Sequence, residues 1–376
     1  MDTNGIFSDF APTDKKTWRA LAEKELKNLS YQELLTWEIV PKVEIEAYYD
    51  RTTTKFSPNP YYAAAPEQGK ARHWQNLPYL EVGDPVAANK EALSQLNSGA
   101  DGILFGISLP SVSVSFFESL LENILLPYCQ ISFVLENNLD KKDFLEAYAT
   151  YLHQSQDAET LPQIVGFCKA AGEEANLDSS LSRNIFAKMP HFQCFMIEIE
   201  ETQAWNVALA KALKKYTQLL QVLEKEPFSF TQVGFSLPQI DNYFLAIAIQ
   251  MSLRKLAAFI AAQTSAKPLA EVAKAIRIHT YTRLWAQEAD THTNLIRNTT
   301  QAMSAILGGC DSLSVLPFAP PTPAGHALAQ RMARNVSLIL TEEAYFDKVN
   351  APLAGSYFVE TLTQKLSEDV WAQFQS

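Results

Sequence analysis

Cysteine is scarce in this chain of 376 residues, with four in all. Cys129, Cys168, Cys194 and Cys310 stand far apart and form no C-x-x-C pair, which excludes a dithiol redox centre and a thiolate zinc site and leaves buried free thiols. Histidine is nearly as rare, at six, and neither a metal-spaced His/Asp set nor a nucleophile elbow occurs, so no metal ligand is assigned. Basic residues are outnumbered 31 to 42, and the resulting charge of −11 repels nucleic acid and anionic membrane. Lys211, Lys214 and Lys215 are the nearest thing to a basic patch and read as one solvated helix face. No stretch approaches the roughly 18 consecutive apolar residues that a bilayer span needs. The N-terminus, with Asp2, Asp9 and Asp14 and no apolar run, is unlike a secretory signal. A glycine-rich phosphate loop is also missing, because Gly99, Gly102 and Gly106 have the wrong spacing and run into a strand. These absences point to a cytoplasmic protein with neither nucleic acid nor membrane as partner.

What is present is an alternation of helices and strands. Strand patterns fall at Gly102–Ile107, Gln130–Glu136, Gln163–Phe167, Phe192–Glu200, Thr231–Ser236, Ile276–Thr282, Leu313–Leu316 and Phe346–Val349. Helical spacing predicts helices between them, over Pro85–Asn97, Ser115–Leu126, Lys141–Leu152, Ala204–Glu224, Ile240–Ala262, Leu295–Leu307 and Leu328–Leu340, with Gly308-Gly309 as a C-cap. Eight strands with intervening helices is the count of a (β/α)8 TIM barrel, which we expect over residues 84–376. Residues 1–83 are expected to form a helix from Thr13 to Leu29 and then an extended arm. Trp37, Tyr48, Tyr49, Tyr61 and Tyr62 make that arm rich in aromatics without a sustained period. It either contacts another chain or supplies a strand pair closing the bottom of the barrel.

The C-terminal part carries a specific resemblance. Read in order, Asn294–Asn298, Ala302–Gly309, Asp311–Phe318, Ala329–Asn335, Leu340–Glu343, Lys348–Val349 and Gly355–Glu360 resemble the methylmalonyl-CoA mutase family. Ser314-Val-Leu-Pro-Phe318 is more similar to the small, beta subunit than to the catalytic subunit, whose equivalent stretch usually reads His-Thr-Asn-Ser-Phe. Trp18, Leu26-Lys27, Tyr31, Leu34, Trp37 and Tyr48-Tyr49 match the spacing of the small subunit's N-terminal region. The resemblance implies an adenosylcobalamin-dependent isomerase that converts (R)-methylmalonyl-CoA to succinyl-CoA. It also implies a homologous catalytic subunit as heterodimer partner, or a homodimer when the chain is alone. In the family the N-terminal region wraps the other subunit, which makes Trp18, Trp37, Tyr48 and Tyr49 the interface candidates.

Chemistry in a barrel collects at the C-terminal strand ends. There the candidates are Glu198, Glu200, Ser236, Tyr281, Arg283 and Ser314. Where the catalytic subunit has a Ser-Gly-Tyr-His run, this chain has Glu198, Glu200 and Glu201, and an ionised glutamate cannot donate a hydrogen bond to a thioester carbonyl. Where the catalytic subunit reads Thr-Ser-Gly-Trp-Ser, this chain reads Tyr281-Thr-Arg-Leu-Trp285. Arg283 is expected in an internal ion pair with Glu198, Glu200 or Glu288, and His279 as a core histidine. Asp290-Thr-His292 imitates a cobalamin-ligating Asp-x-His-x-x-Gly, but Leu295 occupies the glycine position, so helix capping is the expected role. We therefore expect a subunit without catalytic residues and without cobalamin bound to this chain alone. The alternative is a competent acyl-CoA mutase barrel whose cobalamin domain lies outside this sequence.

Overall fold

The computed structural model describes residues 13–27, 29–54, 73–136, 139–170, 186–223, 230–265, 267–283, 291–319 and 326–376. Tyr61, Tyr62, Trp285, Glu288 and Asp290 lie outside them. The described residues form a mixed α/β protein of eleven α-helices and two five-stranded parallel sheets, compatible with a TIM-barrel-like fold. One sheet runs β4 (Tyr79–Val82), β5 (Gly102–Ile107), β6 (Gln130–Leu135), β7 (Gly166–Ala170) and β8 (Phe192–Gln193). The other runs β3 (Gln75–Asn76), β12 (Ser312–Ser314), β11 (Arg277–Tyr281), β10 (Val233–Pro238) and β9 (Phe195–Glu198). Two segments therefore serve both sheets: residues 75–82 supply β3 and β4, and residues 192–198 supply β8 and β9.

Local chemistry fixes the helices that connect these strands. Helix α3 (Pro85–Asn97) starts where Asp84 accepts from the Ala87 amide at 2.7 Å, with proline at its first position, and stops at Gly99, whose φ of 96° only glycine adopts freely. Asp140 caps α5 (Lys141–Ser155) and Asn242 caps α7 (Tyr243–Thr264) in the same way. The remaining helices of this part are α4 (Val114–Leu120), α6 (Trp205–Leu223), α8 (Leu269–Ala275), α9 (Thr291–Gly308), α10 (His326–Glu342) and α11 (Tyr357–Gln375).

The core has two layers. Between strands and helices, Phe117, Phe133, Phe144 and Tyr148 pack with ring centroids 5.0–6.0 Å apart. On the opposite strand faces, Leu77, Leu104, Phe167 and Met196, from both sheets, form a separate small cluster. Helix α7 is long and apolar enough to cross a membrane by length and composition, yet 83% of its most apolar window is buried inside the protein. Its apolar residues are interrupted by Gln250, Ser252 and Arg254, all buried. Arg254 donates to the carbonyls of Ala273 (3.1 Å), Ile276 (2.5 Å) and Gly309 (2.6 Å) and to Asp311 Oδ2 (2.5 Å).

Three expectations need correction. Phe346–Val349 is no strand: Tyr345 takes a φ of 56° and the Phe346 amide donates to the Leu340 carbonyl at 3.0 Å, so these residues close the end of α10. Residues 75–82, ahead of the boundary expected at 84, supply strands instead, in two pieces on either side of Pro78. The arm is not simply extended either. After α1 (Lys15–Glu25) it forms a short helix α2 (Tyr31–Leu35) and an antiparallel hairpin of β1 (Thr36–Val40) and β2 (Val43–Glu46), turning at Lys42 with φ 69°. The hairpin lies on α6 and α11, where Asn206 Nδ2 donates to the Pro41 carbonyl (2.8 Å) and Lys365 Nζ to the Glu44 carbonyl (2.8 Å).

Removing a buried cation strands its anionic partner at a cost of about 3–5 kcal/mol. Arg254→Met should lower the unfolding free energy by that order in urea denaturation. A loss of under about 1 kcal/mol would show that this contact is not what joins α7 to the starts of β11 and β12.

Candidate functional site

A cavity of about 620 Å3 opens at the C-terminal ends of β4, β6, β7 and β11. Strand alternation decides what reaches it, since every second side chain points to the face away from the helices. On β4 this brings Tyr79, on β7 Lys169 and on β11 His279 and Tyr281, while Glu136 follows directly after β6. Tyr79 lies over Gly106 of β5, where an added Cβ would stand 2.1 Å from its hydroxyl.

Two polar networks line the cavity. In the first, the Tyr79 hydroxyl donates to Glu136 Oε1 at 3.1 Å and the Ser108 hydroxyl to Oε2 at 2.9 Å. In the second, the Tyr281 hydroxyl donates to Glu198 Oε1 at 2.6 Å, and Lys169 Nζ forms an ion pair with Oε2 at 2.8 Å while lying 5.0 Å over the Tyr281 ring. Burial and the neighbouring carboxylates push both phenols well above the usual tyrosine range, so both remain proton donors. His279 is 2% exposed, pairs through Nδ1 with Ser312 Oγ at 3.0 Å, and leaves Nε2 without a partner among the described residues. Burial, with Lys169 nearby, holds its pKa down at about 3, so the ring is neutral.

The sequence candidates divide between this cavity and its rim. Glu198 and Tyr281 meet in the second network. Ser236 is buried, and its Oγ has no partner among the described residues. Ser314 donates to the Leu77 carbonyl at 2.7 Å, tying β12 to the segment between β3 and β4. Glu200 is exposed, and Arg283 pairs with Glu201 and Asp241 rather than with Glu198 or Glu200. Lys169, Tyr79 and Glu136 were missed. Placing the third strand at 163–167 instead of 166–170 ended it before Lys169, and assigning residues before 84 to the arm concealed Tyr79. His292 falls in the first turn of α9 and is exposed, which is the geometry of a helix start and not of a loop that follows a strand. Among the described residues, no group of three or more His, Cys, Asp or Glu side chains is placed to hold a metal ion.

Of the arm candidates, Trp18 stacks on Tyr48 (centroids 4.9 Å, planes 10° apart) and Tyr49 packs on Phe358 of α11 at 6.1 Å. Trp37 is 46% exposed.

The sequence model of methylmalonyl-CoA mutase matches residues 201–376. That C-terminal part of the chain is similar to the methylmalonyl-CoA mutase family. The chain is 29% identical over 402 aligned positions to the methylmalonyl-CoA mutase small subunit of Porphyromonas gingivalis, covering 99% of this chain and 64% of that protein. It is 24% identical over 409 positions to the small subunit of Propionibacterium freudenreichii subsp. shermanii, covering 99% and 63%. A shorter stretch of 85 residues, 23% of this chain, is 45% identical to a methylmalonyl-CoA mutase of Rhizobium meliloti. The chain thus spans less than two thirds of the length of these mutase-family relatives.

The histidine gives a pH prediction. A folded-state pKa of about 3 against an unfolded value of 6.5 means that the unfolded chain binds the extra proton between those values. His279 therefore contributes stability above pH 6.5 that is lost as pH falls toward 3. His279→Gln should flatten the fall in stability between pH 6.5 and 4.5 by about 1.4 kcal/mol per pH unit, read from urea titrations at several pH values. Equal slopes in both proteins would mean that the imidazole is not held neutral.

Proposed function

We propose that this chain is the small (beta) subunit of an adenosylcobalamin-dependent methylmalonyl-CoA mutase, which interconverts (R)-methylmalonyl-CoA and succinyl-CoA. It works in the cytoplasm as the non-catalytic half of a heterodimer with a homologous catalytic subunit, and forms a homodimer when that subunit is absent. What supports the subunit assignment is similarity along nearly the whole chain to proteins named as small subunits. What supports the lack of catalysis is the Lys169–Glu198–Tyr281 network. Its cation and its phenol are both held on a carboxylate, which weakens them as donors toward a thioester carbonyl that gains negative charge.

Charge argues the same way. The cavity lining includes Glu81, Glu91 and Glu136 against Lys169, and the substrate brings a carboxylate of its own. His279 is enclosed and His292 sits in a helix start instead of a loop that follows a strand, so in this proposal the cofactor belongs with the partner chain.

The same reading extends to architecture. The two sheets are the halves of one (β/α)8 barrel, because residues 75–82 and 192–198 each pair on both sides and thereby join the sheets at both edges. The arm then serves as the partner contact. Leu21, Leu29, Leu34 and Trp37 are exposed on it, more apolar surface than so short a segment ordinarily leaves in water.

Alone, the protein should give no succinyl-CoA from (R)-methylmalonyl-CoA with added adenosylcobalamin. Co-expressed with a catalytic subunit, it should co-purify in equal amount. Turnover by the isolated chain would remove the non-catalytic assignment. Trp37→Ala should weaken that association by roughly 5- to 30-fold without changing Tm, as measured by titration calorimetry. Unchanged affinity would place the partner surface elsewhere.

A further inference from the structure

The cavity carries more negative than positive charge, and one of its buried polar atoms is unmatched. Glu136 accepts only from the neutral hydroxyls of Tyr79 and Ser108, and among the described residues no ammonium or guanidinium is paired with it. The lysine in the lining, Lys169, is engaged with Glu198 at 2.8 Å. Glu81 and Glu91 add two more carboxylates to the lining. Leu104, Val134, Leu316 and Pro317 make an apolar wall beside these groups. His279 contributes no charge, and its Nε2, unpartnered among the described residues, belongs to a ring that lines the cavity and is 2% exposed.

We propose that this cavity binds a small organic cation, a primary ammonium on an apolar body of about five to ten carbons. The ammonium forms a charge-assisted hydrogen bond with Glu136 beside the face of Tyr79, and the hydrocarbon lies along Leu104, Val134 and Leu316. An anion of the same length meets the excess of carboxylates, and a neutral alcohol lacks the ionic contact. The volume of about 620 Å3 admits such a ligand with room for water at His279 Nε2. This inference rests on the cavity walls and not on the subunit assignment, so it stands or fails separately from mutase turnover.

Isothermal titration of the protein with hexylammonium, hexanol and hexanoate at low ionic strength tests it. Saturable binding, with a matching rise in Tm, is expected for hexylammonium, and weaker or no binding for the other two. Glu136→Gln should weaken hexylammonium binding by roughly 10- to 100-fold, the worth of a hydrogen bond to a charged group. Hexanoate binding as tightly as hexylammonium, no saturable binding of hexylammonium, or equal affinity in the folded E136Q protein would each overturn the proposal. The comparison of cation with anion is made on the unaltered protein and does not depend on the variant folding.

Discussion

The guanidinium of Arg254 is the constraint on which the sheet ends depend. An arginine inside a helix as apolar as α7 loses most of its hydration, and the protein replaces it with three backbone carbonyls and a carboxylate. Those carbonyls belong to Ala273, Ile276 and Gly309, at the end of α8, the approach to β11 and the end of α9. Asp311 completes the arrangement, accepting also from the Ile278 amide at 2.8 Å. One side chain thus sets the heights at which β11 and β12 begin. Everything those strands present further along, His279, Tyr281 and Ser314 included, inherits that setting.

At the other end of the strands, one carboxylate gathers two side chains. Tyr281 and Lys169 arrive on separate strands and meet on Glu198, which lies on a third. A carboxylate in that position does two things at once: it engages two nearby donors, and it offsets the positive charge of Lys169. Either effect alone would weaken recognition of an acyl-CoA carrying its own carboxylate. Under the proposed small-subunit reading, the two effects together turn the cavity away from that chemistry while its apolar walls remain.

Strong periodic segments were legible in the sequence, and junctions were not. The strands at 102–107, 130–135 and 277–281 and the helix at 85–97 follow from residue pattern within a residue or two. Residues 75–82 were obscure because Pro78 breaks their alternation, while Phe346 suggested a strand although its apolar ring serves the turn after α10. Helix α8 was unmarked between the long α7 and β11. The site was harder still. Tyr281 and Glu198 were both named at strand ends, but their hydrogen bond spans 83 residues of chain, and no local spacing records it. A three-residue slip in β7 was enough to hide Lys169.

The bare backbone of Gly106 beneath Tyr79 has a consequence for how such a cavity changes over generations. Position 106 can carry no side chain while a tyrosine lies across it, since even a methyl group would sit 2.1 Å from the phenol oxygen. A substitution there forces the ring aside and uncouples it from Glu136. Loss of the ring at position 79, conversely, frees position 106 to accept bulk. The two positions are therefore coupled in one direction: bulk at 106 requires that the ring at 79 move or be lost, and the depth of the cavity changes with it.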